Sequence, residues 1–324
     1  MSEDNVYCAL YEAPDTPQVT SAAWEEFARC YPDVKLETLV VVIAAYNEAA
    51  NIGMVLDEIP DQIADVAVSR LVIDDGSSDD TAVVARQHGA LVCTLSVNRG
   101  HGVALRLGYR IAREGGARYI ATLDGDGQWD PADLPAMVRL LEAGSADFVV
   151  GSRRLGNTEN TDGFRNLGVR FFAALVSLLT RTKLTDTSSG LRAMRAELTG
   201  VVSQTQPQYQ TSELLIGALF NGFQVAEVPT TMRQRLSGTS KKGDNLLYGL
   251  RYARVIAATW WRESRAVRRR PGGRDRTSVA GGNPGAAADQ HDRDSRMGPG
   301  RIGRDEQAEN RDQHDAAPHH ADLA

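Results

Sequence analysis

The strongest constraint on this 324-residue chain is a series of short apolar runs, three of which end in polar or acidic clusters. Leu39–Ala44 is rich in β-branched residues and leads into Tyr46-Asn47-Glu48. Leu71–Asp74 leads into Asp74-Asp75-Gly76-Ser77-Ser78, and Tyr119–Leu123 leads into Asp124-Gly125-Asp126-Gly127-Gln128. Leu91–Leu95 and Asp147–Val150 are two further runs of the same kind. Helical patterns alternate with them at Asn51–Ile59, Asp80–His88, Gly102–Arg113 and Pro131–Leu141. Pro131 suits a first helical turn, where its missing N–H costs nothing. Apolar strands alternating with helices predict an α/β fold, a mostly parallel sheet covered on both faces. Such sheets bind ligands beyond the carboxyl ends of their strands. A lone Asp-Gly-Asp is commonly just a turn. Three clusters on one sheet edge are a candidate site.

Composition narrows the classes. Apolar residues make up 42% and charged residues 24%, as in a globular protein with a substantial core. A net charge of −6 and a pI near 5.6 give a nucleic-acid partner no electrostatic support. Cys8, Cys30 and Cys93 lie far apart without metal-ligand spacing and read as reduced thiols of a cytoplasmic protein. The acidic start lacks the order of a signal peptide, and no run of about 18 apolar residues offers a membrane span. Residues 1–36 read as an N-terminal extension with a short helix near Ala22–Cys30, and 37–266 as the folded domain. From Val267 to Ala324 ten arginines face ten acidic residues with no aromatic, which predicts a disordered low-complexity tail. Four of the six histidines fall in that tail, where solvation is a better account than metal binding.

The acidic turn after Leu123 has a chemistry of its own. Asp124 and Asp126, separated by one glycine, can aim carboxylate oxygens at one hard cation, and Gln128 adds a neutral oxygen. Mg²⁺ or Mn²⁺ takes such ligands and commonly shares them with substrate phosphates. A cation bridging a diphosphate offsets the charge that builds as the diphosphate departs. The chain has no GxxxxGK[ST] loop, and Gly100-His101-Gly102 lacks the third glycine of a dinucleotide fingerprint.

In order along the chain stand VVIAAYNEAANI (41–52), VIDDGSSDDT (72–81), NRGHGVALRLGY (98–109), ATLDGDGQWDP (121–131), DTSSGLRAM (186–194), SELLIGAL (212–219) and EVPTTMRQRLSGTSK (227–241). This set resembles the inverting family 2 glycosyltransferases of GT-A (Rossmann-like) fold, and among them the dolichyl- or polyprenyl-phosphate mannose or glucose synthases. The resemblance covers roughly residues 39–262. It implies that Tyr46, Glu48 and Asp75, with Ile73, Asp74 and Gly125 alongside, hold a nucleotide-sugar donor. It implies a metal at Asp124, Asp126 and Gln128. Arg153, Arg165 and Ser240 would meet an acceptor phosphate, and Arg235 and Lys241 would close over the donor phosphates. Asp124, Asp126 and Arg153 are the expected catalytic set. Ala44 stands where the family usually has proline, and His101 where a small or basic residue is usual.

A phosphate monoester is already an anion and needs positioning rather than a general base. The arginines fit that acceptor. A hydroxyl acceptor would need a carboxylate base, for which Asp186 is the candidate; a silent sugar-nucleotide-binding module is a third reading. Phe171–Leu179 is apolar but too short to span a bilayer, and Asn245–Arg270 mixes tyrosines and tryptophans with arginines. Both segments suit a peripheral contact with the cytoplasmic face of a membrane.

Overall fold

The computed structural model describes residues 16–157, 163–206, 209–234 and 245–269. The expected tail lies outside the described residues from position 270 onward. Strand β1 (Leu39–Ala45) is buried along its whole length, because Val, Ile and Leu occupy both of its faces. It pairs in parallel with β3 (Val66–Asp74) on one side and β5 (Tyr119–Asp124) on the other. Beyond β3 lie β4 (Leu91–Thr94), parallel, and the two-residue β2 (Gln62–Ile63), antiparallel. Beyond β5 come β7 (Arg192–Arg195), β6 (Phe148–Ser152) and β8 (Val225–Pro229). β7 is antiparallel to both its neighbours, while β6 and β8 run parallel to each other. Six of the eight strands therefore point the same way, as expected, and the sheet is mixed through β2 and β7.

Both faces are covered. One carries Val40, Val42, Ile73, Ile120, Phe148 and Met194 in a common core with α4 (His101–Glu114) and α8 (Gln210–Phe220). The other carries Val41, Ile43, Ala121 and Leu123 against α2 (Ile52–Asp57), α3 (Thr81–Gln87) and α5 (Leu134–Glu142). A 3-10 turn at Pro131–Asp133 precedes α5, with Asp130 accepting a hydrogen bond from the Ala132 N–H at 2.9 Å. The remaining helices among the described residues are α1 (Thr16–Cys30), α6 (Gly163–Thr180), the one-turn α7 (Leu198–Val201) and α9 (Asn245–Arg269). α1 is longer than the short helix expected there, and it buries Ala23 and Phe27 in the core beside α4.

α4 approaches the sheet closely because Gly108 has no side chain. A Cβ there would stand 2.4 Å from Val42 Cγ1 and 3.1 Å from Ile73 Cγ1. Gly108→Val therefore overpacks this contact and should lower the unfolding free energy by about 2 kcal/mol. Urea denaturation checks this, and an unchanged midpoint would show that the interface can relax.

Candidate active site

The parallel register brings the three expected clusters to one edge. Ala44 pairs with Ile73 on one side and with Asp124 on the other, and Ala45 pairs with Asp74. Tyr46, Asp75 and Gly125 thus leave the sheet at the same level. The first two loops are stitched together. The Asn47 N–H donates to Ser77 Oγ at 2.9 Å, and Asn47 Oδ1 accepts from the Ser78 N–H at 2.8 Å. The Glu48 N–H donates to Thr81 Oγ1 at 2.9 Å, and the Asn51 amide donates to Glu48 Oε2 at 2.7 Å. Asn47 adopts a left-handed φ of 54°, a conformation asparagine tolerates better than most residues. Tyr46 and Glu48 are half-buried. A Cβ on Gly125 would lie 3.7 Å from Glu48 Cγ, so the first and third loops also adjoin.

Asp75 is buried, and its carboxylate is a clamp. Its two oxygens accept the N–H groups of Arg99 at 2.7 Å and Gly100 at 2.8 Å, fixing the chain where α4 begins. Burial pushes its pKa up to about 7 against the pull of those two donors. Ile73 departs from expectation. Its side chain is fully buried in the core, facing Gly108 of α4. Strand alternation decides this, since neighbouring Asp74 and Ile73 cannot share a face.

In the acidic turn, Asp124 is about one-third exposed, with Oδ2 accepting the indole N–H of Trp129 at 2.8 Å and Oδ1 lying 4.0 Å from His101 Nε2. Asp126 is 7% exposed, and its Oδ1 accepts the Gln128 N–H at 3.1 Å. Gly127 takes a φ of +73°, which lets the turn close. Gly190 presses on this turn from the loop before β7. A Cβ there would sit 2.3 Å from Asp124 Oδ2 and 2.6 Å from Trp129 Nε1. Among the described residues no three His, Cys, Asp or Glu side chains cluster as metal ligands. The donor set nonetheless fits a hard cation whose shell a bound phosphate completes: two carboxylates and an amide oxygen on one turn.

Arg153 follows β6 and is held by Asp186, which is fully buried. Nε donates to Oδ2 at 2.6 Å and Nη2 to Oδ1 at 2.8 Å, a two-pronged pair. Nη2 also donates to Ser188 Oγ at 2.6 Å, and the guanidinium lies 5.7 Å from the centre of the Trp129 ring. Burial opposes the Arg153 charge, but Asp186 outweighs it and the pKa is raised. Trp129 thus touches both Asp124 and Arg153, a role that its place in the sequence did not reveal.

Arg165 lies in α6, and its side chain is outside the described residues, as are Arg235, Ser240 and Lys241. The segment leading to the last three is anchored at the acidic turn. The Arg233 N–H donates to the Gln128 carbonyl at 2.8 Å, and Trp129 pairs with Met232 as an isolated β-bridge. Asp133 Oδ2 accepts Thr230 Oγ1 at 2.6 Å and the Thr231 N–H at 2.7 Å. The Arg233 guanidinium spans Glu58 at 2.7 Å and Asp130 at 2.6 Å.

The raised pKa of Asp75 gives a stability test. The native state keeps a proton that the unfolded chain releases, so this group's contribution is complete below pH about 4 and falls away as pH rises through about 7. Relative to Asp75→Asn, the wild-type unfolding free energy should fall by up to about 4 kcal/mol between pH 4 and 8. Chemical denaturation across that range reads the difference, and a flat difference would contradict it.

Residues 40–201 match Glycosyl transferase family 2. The chain is 34% identical over 203 residues to the dolichyl-phosphate hexose transferase of Haloferax volcanii, covering 63% of this chain and 86% of that protein. It is 29% identical over 244 residues to the polyprenol monophosphomannose synthase of Mycolicibacterium smegmatis, covering 71% and 89%. Among solved structures it resembles glucosyl-3-phosphoglycerate synthase from Mycobacterium tuberculosis in complex with Mn²⁺, uridine diphosphate and phosphoglyceric acid. That likeness has a TM-score of 0.54 at 22% identity, over 74% of this chain and 81% of the other, and concerns the GT-A-like fold. With its strand-end clusters, its acidic turn and the family match over residues 40–201, the chain belongs to glycosyl transferase family 2.

Proposed function

We propose that the protein transfers a hexose from GDP-mannose or UDP-glucose to a polyprenyl or dolichyl phosphate, with inversion, at the cytoplasmic face of a membrane. An acceptor phosphate oxygen attacks the anomeric carbon as the bond to the diphosphate oxygen breaks, and the nucleoside diphosphate leaves. Asp124, Asp126 and Gln128 would hold Mg²⁺ or Mn²⁺, which when bound supplies charge stabilisation for the leaving diphosphate. Tyr46, Glu48, Asp75 and Gly125 frame the donor side; any part for Ile73 falls to its backbone. Arg165 and Ser240 complete the acceptor side, and Arg235 and Lys241 cover the donor phosphates.

The observation that carries this reading is the Trp129 bridge. One indole joins Asp124, at 2.8 Å, to the Arg153 guanidinium, at 5.7 Å from the ring centre. A cation at the turn and an anion at Arg153 would therefore sit side by side. Arg153 is half of an ion pair, so what it offers an acceptor is directional N–H donors more than net charge. The same pair weakens the hydroxyl-acceptor alternative. Asp186 is fully buried with both oxygens engaged by Arg153, and a general base must reach the proton it removes. Exposed apolar residues support a lipid-borne acceptor. α6 turns Leu167, Phe171 and Leu178 outward, one helical face, while Ala173 and Val176 are buried. On α9 an exposed Trp261 carries Arg265 stacked at 3.6 Å, a pairing suited to the headgroup zone. Among the described residues no helix is long and apolar enough to cross a membrane.

The test uses radiolabelled GDP-mannose and UDP-glucose with short polyprenyl phosphates, counting label extracted into organic solvent. Asp126→Asn should reduce transfer by about a thousandfold with the circular dichroism unchanged; full activity in that variant would exclude the metal role. Arg153→Ala should raise the acceptor KM by about 10–100-fold while moving the donor KM less than about twofold. Equal changes in both constants would remove Arg153 from the acceptor side.

A further inference from the structure

Glu227 lies on β8, directly opposite Val150 of β6, three residues before Arg153. Its carboxylate points into the turn that carries Asp186. Oε1 accepts the N–H groups of Thr185 and Asp186, each at 2.9 Å. Oε2 accepts the Thr185 N–H at 2.8 Å and the Thr185 hydroxyl at 2.9 Å. Thr185 Oγ1 in turn meets Ser152 Oγ at 2.6 Å, and the same Ser152 oxygen accepts the Arg154 N–H at 3.2 Å. Arg153 is thus gripped twice. Its side chain is held by Asp186, whose backbone N–H rests on Glu227. Its backbone neighbours on both sides are held through Ser152, whose hydroxyl rests on Thr185 and so again on Glu227.

We infer that Glu227 is a positioning residue for Arg153, setting the direction of its guanidinium through the Thr185–Asp186 turn. The inference rests on the reading above that Arg153 meets the acceptor phosphate. Two features separate it from ordinary packing. Glu227 is half-buried, and the partners named here for both of its oxygens belong to one two-residue turn. Asp186 lies beside it, so a second negative charge is held close by. Such an arrangement costs desolvation and repulsion, and the hydrogen bonds it gains fix orientation.

Glu227→Gln keeps the shape but places an amide NH₂ against backbone N–H donors, so the turn loses an acceptor. Thr185→Val deletes only the hydroxyl link and should act in the same direction, more weakly. In the transfer assay, Glu227→Gln should raise the acceptor KM by roughly tenfold with the donor KM unchanged, and in an Arg153→Ala background it should add nothing. An activity-free reading comes from ¹H–¹⁵N NMR of the Arg153 Nε–H, assigned by its loss in Arg153→Lys. That resonance should shift or broaden in both Glu227→Gln and Thr185→Val. An unmoved resonance in a folded Glu227→Gln variant, or additive effects with Arg153→Ala, would overturn the inference. Should the wild type transfer no label to polyprenyl phosphate, the proposed function fails while the resonance still decides whether Glu227 orients Arg153.

Discussion

The parallel ladder centred on β1 is the constraint on which the rest depends. Because Ala44 is paired with Ile73 and with Asp124, the loops after β1, β3 and β5 emerge level with one another. A one-residue slip of either neighbour would turn its acidic residue to the opposite face and bury charge in the core. The buried Val, Leu and Ile residues on both faces of these strands make such a slip costly. Hydrophobic packing therefore sets the positions of the carboxylates at the strand ends.

Around that edge, electrostatics is arranged as a set of local balances. Asp75 is held by two backbone N–H groups, Arg153 by Asp186, and Arg233 by Glu58 with Asp130. In each case an ionisable side chain holds one segment of chain against another. Asp124 is set apart, with one oxygen on Trp129 and the other turned toward a half-exposed histidine at the start of α4. The glycines let these segments meet: Gly125 against Glu48, and Gly190 against Asp124 and Trp129.

Much of this was legible in the sequence, because apolar runs and turn residues act locally. The strand ends after Ala45, Asp74 and Asp124 lie within a residue of where the pattern put them. β7 was not legible: four residues, Arg192 among them, form a strand only because β5 and β6 flank them. The motif pointed to Ile73 as a donor contact, but strand alternation turns it into the core. Asp75 was expected at a nucleoside, and its visible work is to fix the start of α4. Asp186 looked like a possible base until the partner of Arg153 was known. Glu227, Trp129 and Arg233 act through contacts dozens of residues away, and no local pattern announces such contacts.

β4 forms the outer border of the parallel strands, and a bare border of this kind invites pairing with another chain. Here the Val92 N–H donates to the Tyr31 hydroxyl at 3.2 Å, and Cys93 Sγ donates to the Ala23 carbonyl at 3.4 Å. The stretch ahead of the catalytic body thus serves as a cover strip for the sheet. Shortening the protein to its motif-bearing part would bare that margin together with the core surface that Ala23 and Phe27 cover.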